Sequence, residues 1–228
     1  MKALFLFTVM FFVGMISRSE EIFFPSKEGT VLIYKTYDKK DKEVNTVKYT
    51  ITHLKTTGNK TDITYLCESM DPKGKLVFKD EITIQKVGDK LYCDMSKFIN
   101  KAAFQKDGQI PAEVEITGNN MEIPSNPNLG DMLPDANIVM SMSMGIIKMK
   151  MSADVVNRKV ESIEDITVKG GTFKCWKFTS DVNSSAMGFK MNTKNVEWYA
   201  KGIGMVKTES YDKKGNLQSH TDLIEVLR

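Results

Sequence analysis

From residue 30 to the C-terminus, apolar and polar residues alternate in short runs, and nearly every run ends in a turn signal. An extended chain points successive side chains to opposite faces. Period two repeated this often therefore commits the chain to sheet with one face covered. The run 30–37 ends in Asp38-Lys39-Lys40-Asp41, and 45–54 carries Val47, Tyr49 and Ile51 at period two. Gly58-Asn59 turns the chain into 61–70. Asp71-Pro72-Lys73-Gly74 places proline second and glycine fourth, as a type I turn prefers. The runs 75–87 and 90–95, divided by Gly88-Asp89, complete an antiparallel meander.

Residues 95–105 read as one short helix. Met95, Phe98 or Ile99, and Ala102 share a face, with Asp94 or Ser96 as cap. After a strand at 113–116, the segment 117–134 holds Gly118, Pro124, Pro127, Gly130 and Pro134, a long connection acting as a lid-like loop or a crossover. Strands then follow at 138–152, 156–168, 172–181, 187–199, 203–211 and 217–226. No linker divides them. The expectation is an all-β fold with one antiparallel domain over residues 20–228. It has roughly ten to twelve strands curled into a barrel or half-barrel, which removes exposed edges.

Residues 1–19 read as a signal peptide. Lys2 supplies the positive start, and 3–16 is an apolar run too short to span a bilayer comfortably. Ser17 and Ser19 stand at −3 and −1 before Glu20. Cleavage removes Lys2 and Arg18 and leaves 30 basic against 29 acidic residues, a net charge of +1. That balance gives no general attraction to nucleic acid or anionic lipid. No later run is a transmembrane span, so the expected location is periplasmic or secreted.

The most unusual stretch is 139–151. Met140, Met142 and Met144 share one strand face, and Ile147, Met149 and Met151 share another beyond Gly145-Ile146. The phase shifts there by one residue, as at a bulge. Met187 and Met191 can join the same wall. Such a stripe suits plain core, the lining of an adaptable apolar pocket, or a thioether array for Cu(I). No histidine or cysteine lies nearby to complete a copper site, so no metal and no cofactor are expected.

Cys67, Cys93 and Cys175 are an odd set and read as buried thiols, with a bond to Cys175 open. Cys67 and Cys93 fall two strands apart with staggered registers, too far for a disulfide. His53 and His220 sit in no triad or zinc spacing, and no G-x-S-x-G elbow is present. Gly202-x-Gly204 stands between two strands, so it reads as a tight turn and not a phosphate loop. Tyr37-Asp-Lys-Lys-Asp, Tyr211-Asp-Lys-Lys-Gly and Asp71-Pro-Lys-Gly echo one another. The echo is either a duplicated half-barrel or turn chemistry shared by hairpin tips.

Two further segments carry a family resemblance: Gly171-Thr-Phe-Lys-Cys-Trp176 and Val196-Glu-Trp-Tyr-Ala-Lys-Gly-Ile-Gly-Met-Val-Lys-Thr-Glu-Ser-Tyr211. With Tyr92-Cys-Asp-Met95 and Ile123-Pro-Ser125, they resemble the domain-of-unknown-function 3108-like family, also called TapB-like. The resemblance implies a signal-bearing Gram-negative envelope protein with a largely antiparallel, barrel-like fold, and it brings no catalytic residues. In strand terms, Val196 and Trp198 share one face, and Glu197 and Tyr199 the other. Phe173 and Cys175 oppose Trp176 and Phe178, which makes both faces of that strand apolar and calls for a cover such as 117–134. The expected function is a non-enzymatic envelope protein. It holds an apolar small molecule or lipid in a Met-lined barrel, or alternatively acts as a structural or protein-interaction module.

Overall fold

The computed structural model describes residues 21–98, 113–144, 147–186 and 188–228. The segment 1–19, expected to be a signal peptide, lies outside them. The described chain forms β1 (Val31–Asp38), β2 (Glu43–Thr57), β3 (Lys60–Met70), β4 (Leu76–Val87), β5 (Lys90–Asp94), β6 (Glu113–Gly118), β7 (Asn120–Pro124), β8 (Ala136–Met144), β9 (Ile147–Val168), β10 (Gly171–Ala186), β11 (Phe189–Ala200), β12 (Gly204–Tyr211) and β13 (Leu217–Leu227). All thirteen make one antiparallel sheet in the order β6-β8-β9-β10-β11-β12-β13-β1-β2-β3-β4-β5-β7.

The two edge strands are consecutive in sequence, and this nearly closes the barrel. β6 pairs with β8, Ile116 opposite Met140, and β7 pairs with β5, Leu91 opposite Ile123. One run of chain thus changes partners at Asn119. Its backbone N–H donates to Asn137 O at 3.2 Å, while Asn137 N–H donates to Asn119 Oδ1 at 2.6 Å. At Gly118 a Cβ would stand 2.4 Å from Asn137 O, so only glycine fits the crossing. Arg158 of β9 latches the seam. It is 6% exposed, and its guanidinium donates to Pro134 O at 2.7 Å and Glu122 O at 2.9 Å. Those charge-assisted bonds satisfy two carbonyls that the partner switch would otherwise strand.

The inner face carries the main core: Ile63, Tyr65 and Cys67 of β3, Ile82 and Ile84 of β4, Leu91 and Cys93 of β5, Ile123, Val160 and Phe178. Outward positions of β2–β4 carry polar ladders. Thr64 and Thr83 hydroxyls meet at 2.9 Å, and Glu68 lies between Lys48 and Lys79. The segment just before β1 corks one mouth. Ile22 and Phe23 are 3% and 1% exposed, and Phe23 packs edge-on against Trp176 and Phe178 at centroid distances of 5.3 and 5.8 Å. Gly202 N–H donates to Ile22 O at 2.8 Å and ties the cork to the β11–β12 turn.

Three expectations are corrected. The expected strand 138–152 is not one bulged strand. β8 and β9 are antiparallel neighbours with Met144 opposite Ile147, so the chain reverses direction between them. A two-residue connection switches phase as a bulge does, which is why the pattern admits both. β9 then runs through the gap expected at 153–155, and its register against β10 shifts at Glu161 and again at Asn157. There φ is 54°, a region asparagine tolerates, and the side chain donates to Asp181 Oδ2 at 2.8 Å. The expected helix 95–105 is, where described, a 3-10 turn over Met95–Phe98. Asp94 Oδ1 accepts from Ser96 N–H at 2.9 Å, and residues 99–105 lie outside the described residues.

Of the two readings of 117–134, lid-like loop or crossover, the structure has the crossover, and its Ile123 and Leu133 share the main core with Phe178 on one face of β10. The segment supplies β7, and then its backbone bonds to β9, Gly130 N–H to Val160 O and Leu133 N–H to Arg158 O, both 2.8 Å. Cys175 packs instead with Val196, Trp198, Ala200 and Leu223 in a second core. Gly170, in the β9–β10 turn, donates to Leu223 O at 3.0 Å and holds that turn against β13.

Candidate functional site

The inner face of β8–β11 runs past the aromatic core to the mouth opposite the cork. Register places Met140 opposite Met151, Met142 opposite Met149, Met151 opposite Ala186, and Ser184 opposite Met191. Opposed residues share a face, so the methionines of three strands line one surface. Met140 and Met142 are 2% and 3% exposed, whereas Met191 and Phe189 are 64% and 80% exposed. Between these extremes lies an open groove of about 500 Å³. Its apolar walls include Ile138, Met140, Met151, Ala153, Phe189 and Met191.

The candidate residues therefore divide. Met140, Met151 and Met191 line the groove. Met142 is core, and Met149 opposite it is half-buried. Met144 has a backbone position opposite Ile147, and Met187 lies outside the described residues. Phe189, Ile138 and the alanines of the wall were not singled out by sequence. Phe189 follows Gly188 at a hairpin tip, and an aromatic residue in a place that normally takes polar chemistry is the signal that marks it.

A second, smaller cavity of about 220 Å³ lies deeper, among Tyr34, Tyr49, Tyr65, Met205, Glu197 and Tyr199 beside the cork residues Phe23 and Phe24. Tyr34 donates to Met205 O at 2.9 Å, and Tyr49 stacks edge-on to Tyr65 at 5.0 Å. Loss of solvent raises the Glu197 carboxyl above the usual range, against the opposing charge of Arg158 and a hydrogen bond from Tyr199. On the outer face of the same strand, Trp198 donates from Nε1 to Glu164 at 2.6 Å. Lys177 and Lys207 lie 5.8 and 5.6 Å from its ring centroid.

All three cysteines are free and buried. Burial pushes the Cys67 thiol up to about 11, and Cys93 and Cys175 up to about 12, so each stays protonated at neutral pH. His53 pairs with Glu28 at 3.5 Å, and His220 lies between Asp41 and Asp222 at 3.2 and 3.4 Å. Among the described residues, no group of three or more His, Cys, Asp and Glu is placed to hold a metal ion.

The model of the DUF3108-like family matches residues 27–223, from the β1 approach to β13. The chain belongs to the DUF3108-like family. No curated protein matches the sequence. Two solved structures share the architecture. One is a Bacteroides fragilis protein assigned as exported, with a YmcC-like fold; it is 20% identical with a TM-score of 0.74, over 91% of this chain and 100% of that one. The other is a Parabacteroides distasonis protein assigned as a lipoprotein; it is 25% identical with a TM-score of 0.74, over 92% and 100%. The DUF3108-like sheet therefore follows an architecture already solved in two proteins so assigned.

Proposed function

We propose that this DUF3108-like chain is an exported, non-catalytic protein of the cell envelope that holds an apolar, lipid-like molecule in the groove between the β8–β9 and β10–β11 hairpins. Export rests on the leader at 1–19 and on the assignments of the two structural neighbours. The observation that carries ligand binding is the groove itself. Its volume lies within the roughly 300–1,000 Å³ of small-molecule sites. Phe189 and Met191 are left open to solvent at its rim, where nothing in the fold uses them. Thioether side chains are flexible and polarisable, so such a wall accepts chains of varied shape. Phe23 and Phe24 narrow the aromatic interior beneath to about 220 Å³, less than half the volume of the groove, which favours the methionine end for a ligand.

Native mass spectrometry of the mature protein, purified gently from its host envelope, tests this. The expected result is a reproducible added mass of lipid size in the wild type and a bare chain in Met151→Asp. A bare wild-type mass, joined by no uptake on mixing with palmitate, overturns the reading in favour of a protein-interaction module.

A further inference from the structure

The antiparallel order fixes which turns share an end. Because neighbouring strands alternate in direction from β8 through β13 to β1 and on to β5, the hairpins β8–β9, β10–β11, β12–β13, β1–β2 and β3–β4 all turn at the open end, opposite the cork. Successive hairpins around this rim stand about 10 Å apart, two strand spacings.

The three echoing sequence motifs are three of these rim turns. Asp38 Oδ1 accepts from the N–H of Lys40 and Lys42, Asp71 Oδ1 from Lys73 and Lys75, and Asp212 Oδ1 from Lys214 and Asn216, at 2.8–3.1 Å. The motif is therefore a shared turn device. It spends each aspartate on the turn's own backbone and leaves the lysines outside. Lys39, Lys40, Lys42, Lys73, Lys75, Lys213 and Lys214 are all exposed, as is Lys190 beside Phe189. Asp41, the remaining acid on these turns, lies against His220.

Apolar side chains are interleaved with this charge. Val44, Leu76, Val77, Phe189 and Met191, each 48–80% exposed, lie on or just below the same turns. They are five of the nine exposed large apolar residues among those described, gathered at one end of the barrel. The net charge of +1 expected once 1–19 is removed hides this arrangement, because it averages the rim with the rest of the surface.

We propose that this rim docks the protein on an anionic phospholipid bilayer, its lysines meeting headgroup phosphates and its apolar tips entering the headgroup boundary. Juxtaposed lysines and exposed apolar side chains are the two components of interfacial binding. The lysines supply a salt-sensitive attraction, and the apolar tips a salt-insensitive one. The docking goes beyond ligand holding and does not need the groove to be occupied, although it would bring the groove mouth to the source of an acyl chain.

Co-sedimentation of the mature chain with phosphatidylcholine vesicles, with and without phosphatidylglycerol, tests it. Wild type should favour the phosphatidylglycerol vesicles by roughly tenfold or more in dilute salt, and lose most of that preference in concentrated salt. Lys39→Glu with Lys213→Glu should abolish the preference. Lys55→Glu with Lys169→Glu, an equal charge change at the corked end, should retain most of it. Equal loss in both pairs, or no preference in the wild type, would overturn docking by this rim. Palmitate uptake measured without vesicles reports on the groove separately, so either idea can fail alone.

Discussion

The two ends of this barrel are built from the same strands and finished in opposite ways. At one end Ile22 and Phe23 fill the mouth, ring against ring with Trp176, Phe178 and Tyr199, and the β11–β12 turn holds them there. At the other, the inner face continues as methionine and alanine to Phe189 and Met191, which have nothing over them. A closed sheet satisfies its own backbone, so nothing in the strand pairing requires an apolar face beyond the core. Aromatic filling at one mouth and a thioether wall at the other separate what holds the fold from what is available to a ligand.

Substitutions can break that contrast. Met142→Asp buries a carboxylate between Val114 of β6 and Met149 of β9, and it should prevent folding or cost at least about 4 kcal/mol in urea denaturation. Tolerance of it would mean that the groove extends past Met140 toward the β8–β9 tip. Phe23→Ala should cost roughly 3–5 kcal/mol by the same measurement, because the ring is fully enclosed. A loss below about 1 kcal/mol would show that the cork is not part of the core.

Glu197 gives a pH dependence. Burial raises its carboxyl in the folded state above the unfolded value. Its neutral form therefore favours folding in acid, and that contribution is lost as pH rises through the folded value. Glu197→Gln should match wild type near the unfolded carboxylate range and become the more stable of the two as pH rises. Parallel stability profiles would place Glu197 in contact with water instead. The smallest effect on stability should come from Phe189→Ser with Met191→Ser, within about 0.5 kcal/mol of wild type, while palmitate uptake falls sharply.

Much of this architecture is legible in the sequence because period-two runs and Asp/Gly turns are local signals. The meander from β1 to β5 and the β10–β13 strands follow from them to within a few residues at each end, with β10 running five residues past its expected end at 181. What is not legible depends on partners distant in sequence. The β8–β9 reversal hides because a two-residue turn and a bulge shift the phase alike. Arg158 reads as a solvent-facing strand residue until the two carbonyls of the seam are placed beside it. The cork, Ile22-Phe23-Phe24, is a short apolar run just past Glu20-Glu21 with no strand period of its own, and that misfit is its one trace in the sequence. At the site, the methionines are visible as a stripe. The division into buried Met142 and exposed Met191 comes from their neighbours: Met142 stands between Val114 of β6 and Met149 of β9, whereas Met191 lies near the open tip of the β10–β11 hairpin.

The claim that matters most is that an apolar chain enters this groove. Methyl-labelled methionine in the mature protein, followed by NMR as palmitate is added, reads each thioether separately. The account predicts saturable shifts at Met140, Met151 and Met191, with Met132 and Met205 unmoved. Shifts spread evenly over all methionines, or none at any of them, would contradict it.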